Sequence, residues 1–337
     1  MFHLQYLAQH CPPRQAFAAV ALIALALLPA LSAAADGWTE PSIVWPEAWS
    51  NPQGFDVSAD GTRLVALLPD EGVDEQSRPV AVTHLDANVW QPLIILATNG
   101  FYYPPSAIVR PPQETHPAIS GDGSTIAYVG YTGQTAGIYL SYHEPDGWPP
   151  PTLLDTGLPS HDNWLSLSAD GQVLAFSDGT QVHVSARTGT VWSAPTAIGP
   201  GSHPSLSAQG TELTYINNGR LTFAEREDTG WTAPQEITTN NPSQDRVAYP
   251  RMSGDGLALF YWLVTQDPTP EGTGYTDVTQ DLYLHRRDET GWGPPQKVTP
   301  TAIAPLDMVG PATADAGATR LAYTLPVTGT SGSGDTF

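Results

Sequence analysis

The sequence predicts an all-β fold of six four-stranded antiparallel sheets, and three observations carry that expectation. A phrase of two short apolar runs about a Ser-x-Asp-Gly turn occurs six times in 337 residues. A second phrase, a polar turn followed by Trp and then Pro, trails most of its copies. A lone copy of that second phrase, DGWTEPSIVWP at 36–46, stands ahead of the first hairpin. A pattern repeating roughly every 40–60 residues decides the fold before any local propensity does.

The hairpin phrase is fullest at 116–130, HPAISGDGSTIAYVG. It reads FDVSADGTRLVALL at 55–68, WLSLSADGQVLAFS at 164–177, HPSLSAQGTELTYI at 203–216 and YPRMSGDGLALFYW at 249–262. The sixth copy, VGPATADAGATRLAYT at 309–324, carries one extra residue. Each apolar run is too short for a helix and suits a strand. Asp-Gly between two such runs marks a hairpin, because Gly accepts the positive φ of a tight turn.

The second phrase reads IYLSYHEPDGWPPPTLL at 138–154, VHVSARTGTVWSAPTAI at 182–198, LTFAEREDTGWTAPQEI at 221–237 and LYLHRRDETGWGPPQKV at 282–298, with a shortened VTHLDANVWQPLIIL at 82–96. It supplies a third strand, a turn, and a fourth strand whose Pro has no N–H to offer a neighbour. Such a strand belongs on an edge. A single sheet of this kind cannot bury both faces, whereas six arrayed radially can, which is a six-bladed β-propeller. The recurring Trp, a large apolar body with one N–H, fits between blades.

Segment 36–46 is then a fourth strand that arrives first in the chain. Its place is the outer edge of the last blade, so that an N-terminal strand completes that blade and seals the ring. After the strand-like 320–325 no Trp phrase follows. Residues 329–335 read as flexible linker and Thr336-Phe337 as a short third strand. The expected division is a leader at 1–35, a propeller at 36–326 and a flexible tail at 327–337.

Residues 1–35 hold no acidic side chain, one Arg at position 14, an apolar stretch at 16–28, Pro29 and an exit of small residues ending at Ala35. That order is the pattern of a secretory signal cut near Ala35, with an uncut membrane anchor as the alternative. Its removal takes away Cys11, the only cysteine, so a secreted or periplasmic chain would depend on its core rather than on disulfides.

The pattern Pro-x-x-Ser-x-Asp-Gly-x-x-Ile/Leu-Ala resembles the WD40-like repeat of TolB-type propellers, known as PD40, over essentially the whole chain after residue 36. Gln209 in the fourth copy and Asp315-Ala316-Gly317 in the sixth depart from it. The resemblance implies a non-catalytic interaction hub of the cell envelope. The additional N-terminal α/β domain of TolB is not recognisable here.

Thirteen Lys+Arg against 34 Asp+Glu give a net charge of −21, and −22 once Arg14 leaves with the signal. Lys297 is the only lysine. The imbalance excludes nucleic acid and anionic membrane as partners and favours solubility as a monomer. Long insertions at 69–79, 99–116, 238–250 and 265–281 all fall on the face opposite the Asp-Gly turns, which marks that face as the working surface. Two of them are acidic, with Asp70, Glu71, Asp74 and Glu75 in one and Asp267, Glu271, Asp277 and Asp281 in the other. Neither has the spacing of a calcium loop, although such acids can hold calcium or another divalent ion. No resident cofactor is expected. A third insertion sets Phe101, Tyr102 and Tyr103 beside prolines, a rigid aromatic group suited to a binding hot spot.

Aligning the six copies on their Ser places His116, Trp164, His203 and Tyr249 at one position, just ahead of the innermost strand. Two residues on, the same strand offers Asp56, Ser166, Ser205 and Arg251. Inner strands line the central channel, so these residues ring its mouth and are the candidate binding set. Two imidazoles, a phenol, a carboxylate and a guanidinium could hold a small ligand or a metal. Their bland reading is packing at strand ends. The sequence carries no recognisable nucleophile elbow, zinc-binding or phosphate-binding motif. The expected function is therefore binding of a protein or carbohydrate partner at the long-loop face and channel mouth. A metal-dependent polysaccharide lyase or glycosidase acting in the channel is the alternative.

Overall fold

The computed structural model describes residues 21–27, 42–43, 54–68, 79–87, 89–98, 116–132, 135–158, 164–239, 245–268, 275–298, 313–314 and 320–326. Every regular element among them is a β-strand. Five antiparallel sheets are each built from one contiguous stretch, and together they form a β-propeller. The third blade shows the plan. Leu165–Leu167 is innermost, Val173–Ser177 and Gln181–Thr188 follow, and Val191–Trp192 and Thr196–Pro200 both pair with Gln181–Thr188 on its outer side.

That outer pair corrects the expectation of four-stranded blades. Four of the five blades have the fourth strand broken into two short pieces, so the sheets count five strands. The break falls at Pro92, Pro195, Pro234 and Pro294-Pro295, where the missing N–H and fixed φ interrupt the ladder. In the second blade only Thr152–Leu154 remains as the outer strand.

Burial falls from the axis outward. Val173–Ser177 is buried at every position, whereas Thr196–Pro200 is half-buried or exposed throughout. The core lies between blades, as when Val129, Ile138 and Leu140 of the second blade meet Leu165, Leu174 and Phe176 of the third. Trp148, Trp192, Trp231 and Trp292 each pack half-buried against one such inter-blade cluster.

The Ser-x-Asp-Gly turns are held by one repeated circuit. Ser168 Oγ donates to Asp170 Oδ1 at 2.6 Å and accepts from Val173 N at 2.9 Å. Ser58, Ser120 and Ser253 do the same with Asp60, Asp122 and Asp255. The Gly that follows is left-handed, with φ of +70° at Gly123. Successive turns also bond to one another. Ala59 N donates to Gly121 O, Asp122 N to Ala169 O, Ala169 N to Ala208 O and Ala208 N to Gly254 O, all at 2.8–2.9 Å.

A further sheet joins the two ends of the described chain, in the order Thr313–Ala314, Arg320–Pro326, Ala21–Leu27, Ser42–Ile43. Ser42–Ile43 is outermost, the place expected for segment 36–46. Its partner differs from expectation. Ala21–Leu27, inside the expected leader, pairs with Arg320–Pro326 along all seven of its residues. The slot goes to a continuous apolar run, ALIALAL, which suits a strand flanked on both sides. The proposed third strand at Thr336-Phe337 and the tail at 327–337 lie outside the described residues. Thr313–Ala314 touches the inner strands of both the fifth and the first blades.

The insertion at 265–281 is largely strand rather than loop. Ala258–Pro268 and Tyr275–Asp288 pair as far as Pro268↔Tyr275, lengthening the fifth blade into a projecting hairpin. Its Thr, Val and Tyr content favours extended backbone over an open acidic loop.

Candidate binding site at the channel mouth

Inner strands start on the face opposite the Asp-Gly turns. His116 and Trp164 stand just ahead of Ala118–Ile119 and Leu165–Leu167, whereas His203 and Tyr249 lie within Ser202–Leu206 and Arg246–Met252. His116 bridges Trp164 in parallel backbone pairing, which fixes the second blade against the third. His203 and Tyr249 sit at register shifts, between Ser202 and Ser205 and between Ala248 and Arg251. Both have left-handed backbone, with φ of +57° and +54°. Proline follows each, and already disfavours the right-handed helical region for the residue before it. A bulge at such a position re-aims the side chain.

These four side chains converge. Ring centroids lie 3.8 Å apart for His116 and Trp164, 4.3 Å for Trp164 and His203, 5.2 Å for Trp164 and Tyr249, and 5.9 Å for His203 and Tyr249. Trp164 is the hub. His116 is 2 % exposed, and neither ring nitrogen has a hydrogen-bond partner. Burial, with Arg251 and His203 adding to it, holds its pKa well below the usual imidazole value. His203 is lowered to about 4 by burial and by Arg246, and its Nδ1 meets Ser202 Oγ at 2.7 Å. Both imidazoles are therefore neutral at pH 7. A neutral imidazole offers one donor and one acceptor to an incoming polar group.

The second layer, expected at the same mouth, is spent on holding blades together. Asp56 Oδ1 pairs with Arg251 Nη2 at 2.9 Å, both side chains under a tenth exposed. Asp56 Oδ2 also accepts from Ile119 N at 3.1 Å. Ser166 Oγ accepts from Leu206 N at 3.0 Å, and Ser205 Oγ from Met252 N at 2.9 Å. Asp56, Ser166 and Ser205 thus each cap an amide of the next blade's inner strand. The Asp56–Arg251 pair links the first blade to the fifth, across the place where Thr313–Ala314 sits. This layer also floors a small cavity of about 70 Å³ that opens on the tight-turn face.

So of the six expected channel residues, His116, Trp164, His203 and Tyr249 form one aromatic group, while Asp56 and Arg251 form a buried ion pair behind it. Phe101, Tyr102 and Tyr103 lie outside the described residues, as do Asp70, Glu71, Asp74 and Glu75. Among the described residues no three His, Cys, Asp or Glu side chains gather to hold a metal. Among the described residues, the two imidazoles of the mouth have no third such ligand beside them. Sequence reasoning missed the series of turn-to-turn hydrogen bonds that runs from the first blade to the fifth. Its signal was present, since the residue after Ser, or after Thr313 in the sixth copy, is small throughout: Ala59, Gly121, Ala169, Ala208, Gly254 and Ala314.

The class these features define is the β-propeller. No protein-family model matches the chain, and no curated protein does. Among solved structures, a TolB structure from Agrobacterium tumefaciens is similar at a TM-score of 0.54 and 15% identity, over 91% of this chain and 98% of that one. A 6-phosphogluconolactonase structure from Bacteroides uniformis gives 0.48 and 14%, over 84% and 96%. The periplasmic gluconolactonase of Pseudomonas aeruginosa gives 0.45 and 15%, over 82% and 95%. At these identities the likeness concerns the fold.

Proposed function

We propose that the chain is an exported, non-catalytic, TolB-like propeller of six WD40-like blades that binds a protein or carbohydrate partner at its channel mouth. The observation that carries this reading is the convergence of His116, Trp164, His203 and Tyr249, two of them in left-handed backbone. Backbone held in a sparsely populated region costs roughly 1–3 kcal/mol per residue, and such residues cluster at ligand clamps. The desolvated, unpartnered nitrogens of His116 add polar capacity that the fold itself leaves unused. Long insertions on the same face would extend the contact. The sixth blade is the sheet shared by the two ends, and cutting near Ala35 would withdraw Ala21–Leu27 from it.

The test is affinity capture from the extracytoplasmic fraction of the source cells, comparing the parent with a His203→Ser, Tyr249→Ser variant. Both positions are half-buried, so the variant can be checked for an unchanged circular dichroism spectrum before use. Loss of a partner that the parent retains supports the reading. Identical capture by both proteins overturns it.

A further inference from the structure

We infer a second, independent ligand site on the flank of the wheel, in the groove between the first and second blades, that accepts a small sugar acid such as a hexuronate. The groove is a cavity of about 160 Å³ with Arg63, His84, His143, Ile94 and Trp148 on its walls. That is the size of a cavity known to admit a six-membered ring, about 150 Å³. Its chemistry is divided. Trp148 and Ile94 give apolar surface for the C–H face of a pyranose, and the imidazole of His143 stands edge-on to Trp148 at 5.1 Å.

Three basic side chains share the same walls. A chain with 13 Lys+Arg and nine His against 34 acids places few such groups anywhere, and here Arg63, His84 and His143 share one groove. Arg63 and His84 both depress the pKa of His143 after burial has done so, which puts the three within electrostatic reach of one another. Arg63 is fixed, because its Nη1 donates to Gly123 O at 2.8 Å, across the blade boundary. Asp122 lies within its field, and that carboxylate already accepts from Ser120 Oγ and Ser124 N. A ligand carboxylate would therefore meet a guanidinium held in place and two imidazoles able to donate. His84 and His143 are exposed and make no part of the inter-blade core.

Titration calorimetry with glucuronate, glucose and inorganic phosphate tests this on the full chain. Glucuronate is expected to bind at least tenfold more tightly than either of the others, since only it carries both an apolar ring face and a carboxylate. His84→Ala and His143→Ala should each weaken glucuronate at least fivefold, and Glu227→Gln, exposed at the end of Arg220–Glu227, should leave it unchanged. Equal binding of glucose and glucuronate would overturn the acid specificity. Absence of glucuronate binding, or binding indifferent to both groove histidines, would overturn the site.

Discussion

His203 shows how much a single position can carry. It is a left-handed residue ahead of a proline, its ring sits 4.3 Å from Trp164, and its pKa is lowered to about 4. The unfolded imidazole takes a proton near pH 6.5. Below that pH the unfolded chain binds a proton that the folded chain refuses, so stability from this group is complete above 6.5 and falls as pH drops toward 4. His116 acts in the same direction. The melting temperature should accordingly decline between pH 7 and pH 4.5. His203→Asn, which keeps a residue tolerant of left-handed backbone, should make that decline shallower. Equal declines in parent and variant, read by scanning calorimetry, would remove His203 from the account. Asp60 and Asp122 do not confuse this window. Burial would raise their pKa values, but hydrogen bonds from Ser58 and Thr62, and from Ser120 and Ser124, outweigh it and hold both low, so their contribution is lost only in more acid solution. Alignment on the Ser of each phrase was enough to bring four rings together, because a fixed turn and a period of two set the register. It could not reveal that Asp56 answers Arg251. That pairing depends on a side chain reaching from the fifth blade to the first.

At the scale of the element, the repeated turn does two jobs. Within a blade, Ser and Asp close the hairpin, and between blades the small residue after Ser lets neighbouring turns bond directly. Gly121 shows how close the turns come. A Cβ added there would lie 2.7 Å from Ala169 Cβ and 2.9 Å from its Cα, closer than side chains pack. Its backbone has no positive φ, so the limit is space alone. Gly121→Ala should therefore destabilise the protein by about 1–3 kcal/mol, the usual range for overpacking. A urea titration with an unchanged midpoint would contradict the close turn-to-turn contact. The hairpins and outer strands were legible in Asp-Gly, Trp and Pro. The broken fourth strand was not, because Pro announces an edge without saying that pairing resumes beyond it. The long hairpin of Ala258–Pro268 and Tyr275–Asp288 was hidden for the opposite reason, since its Asp and Thr residues read as loop until strand pairing supplies partners.

At the scale of the molecule, closure draws on both ends of the described chain. Segment 36–46 announced its edge position by carrying the Trp phrase out of order, whereas Ala21–Leu27 reads as a leader core and gave no sign of strand pairing. A chain beginning at Asp36 lacks the strand that joins Arg320–Pro326 to Ser42–Ile43. It should melt several degrees below the chain beginning at Met1, as expected for a loss of 1–2 kcal/mol or more in a domain of this size. Equal melting temperatures would show that the pairing of Ala21–Leu27 contributes nothing to closure. The Asp56–Arg251 pair should keep the five contiguous blades folded in either chain, so far-ultraviolet dichroism should change little.

The central claim is that side chains far apart in sequence and drawn from four blades meet at one mouth. The most direct measurement is an aromatic nuclear Overhauser spectrum of the chain labelled selectively at His, Trp and Tyr, with assignments made by single replacement. The account predicts cross-peaks from Trp164 to His116, His203 and Tyr249, whose ring centroids lie 3.8, 4.3 and 5.2 Å away. A spectrum in which Trp164 shows none of the three would contradict the convergence, and with it the binding site proposed at the mouth.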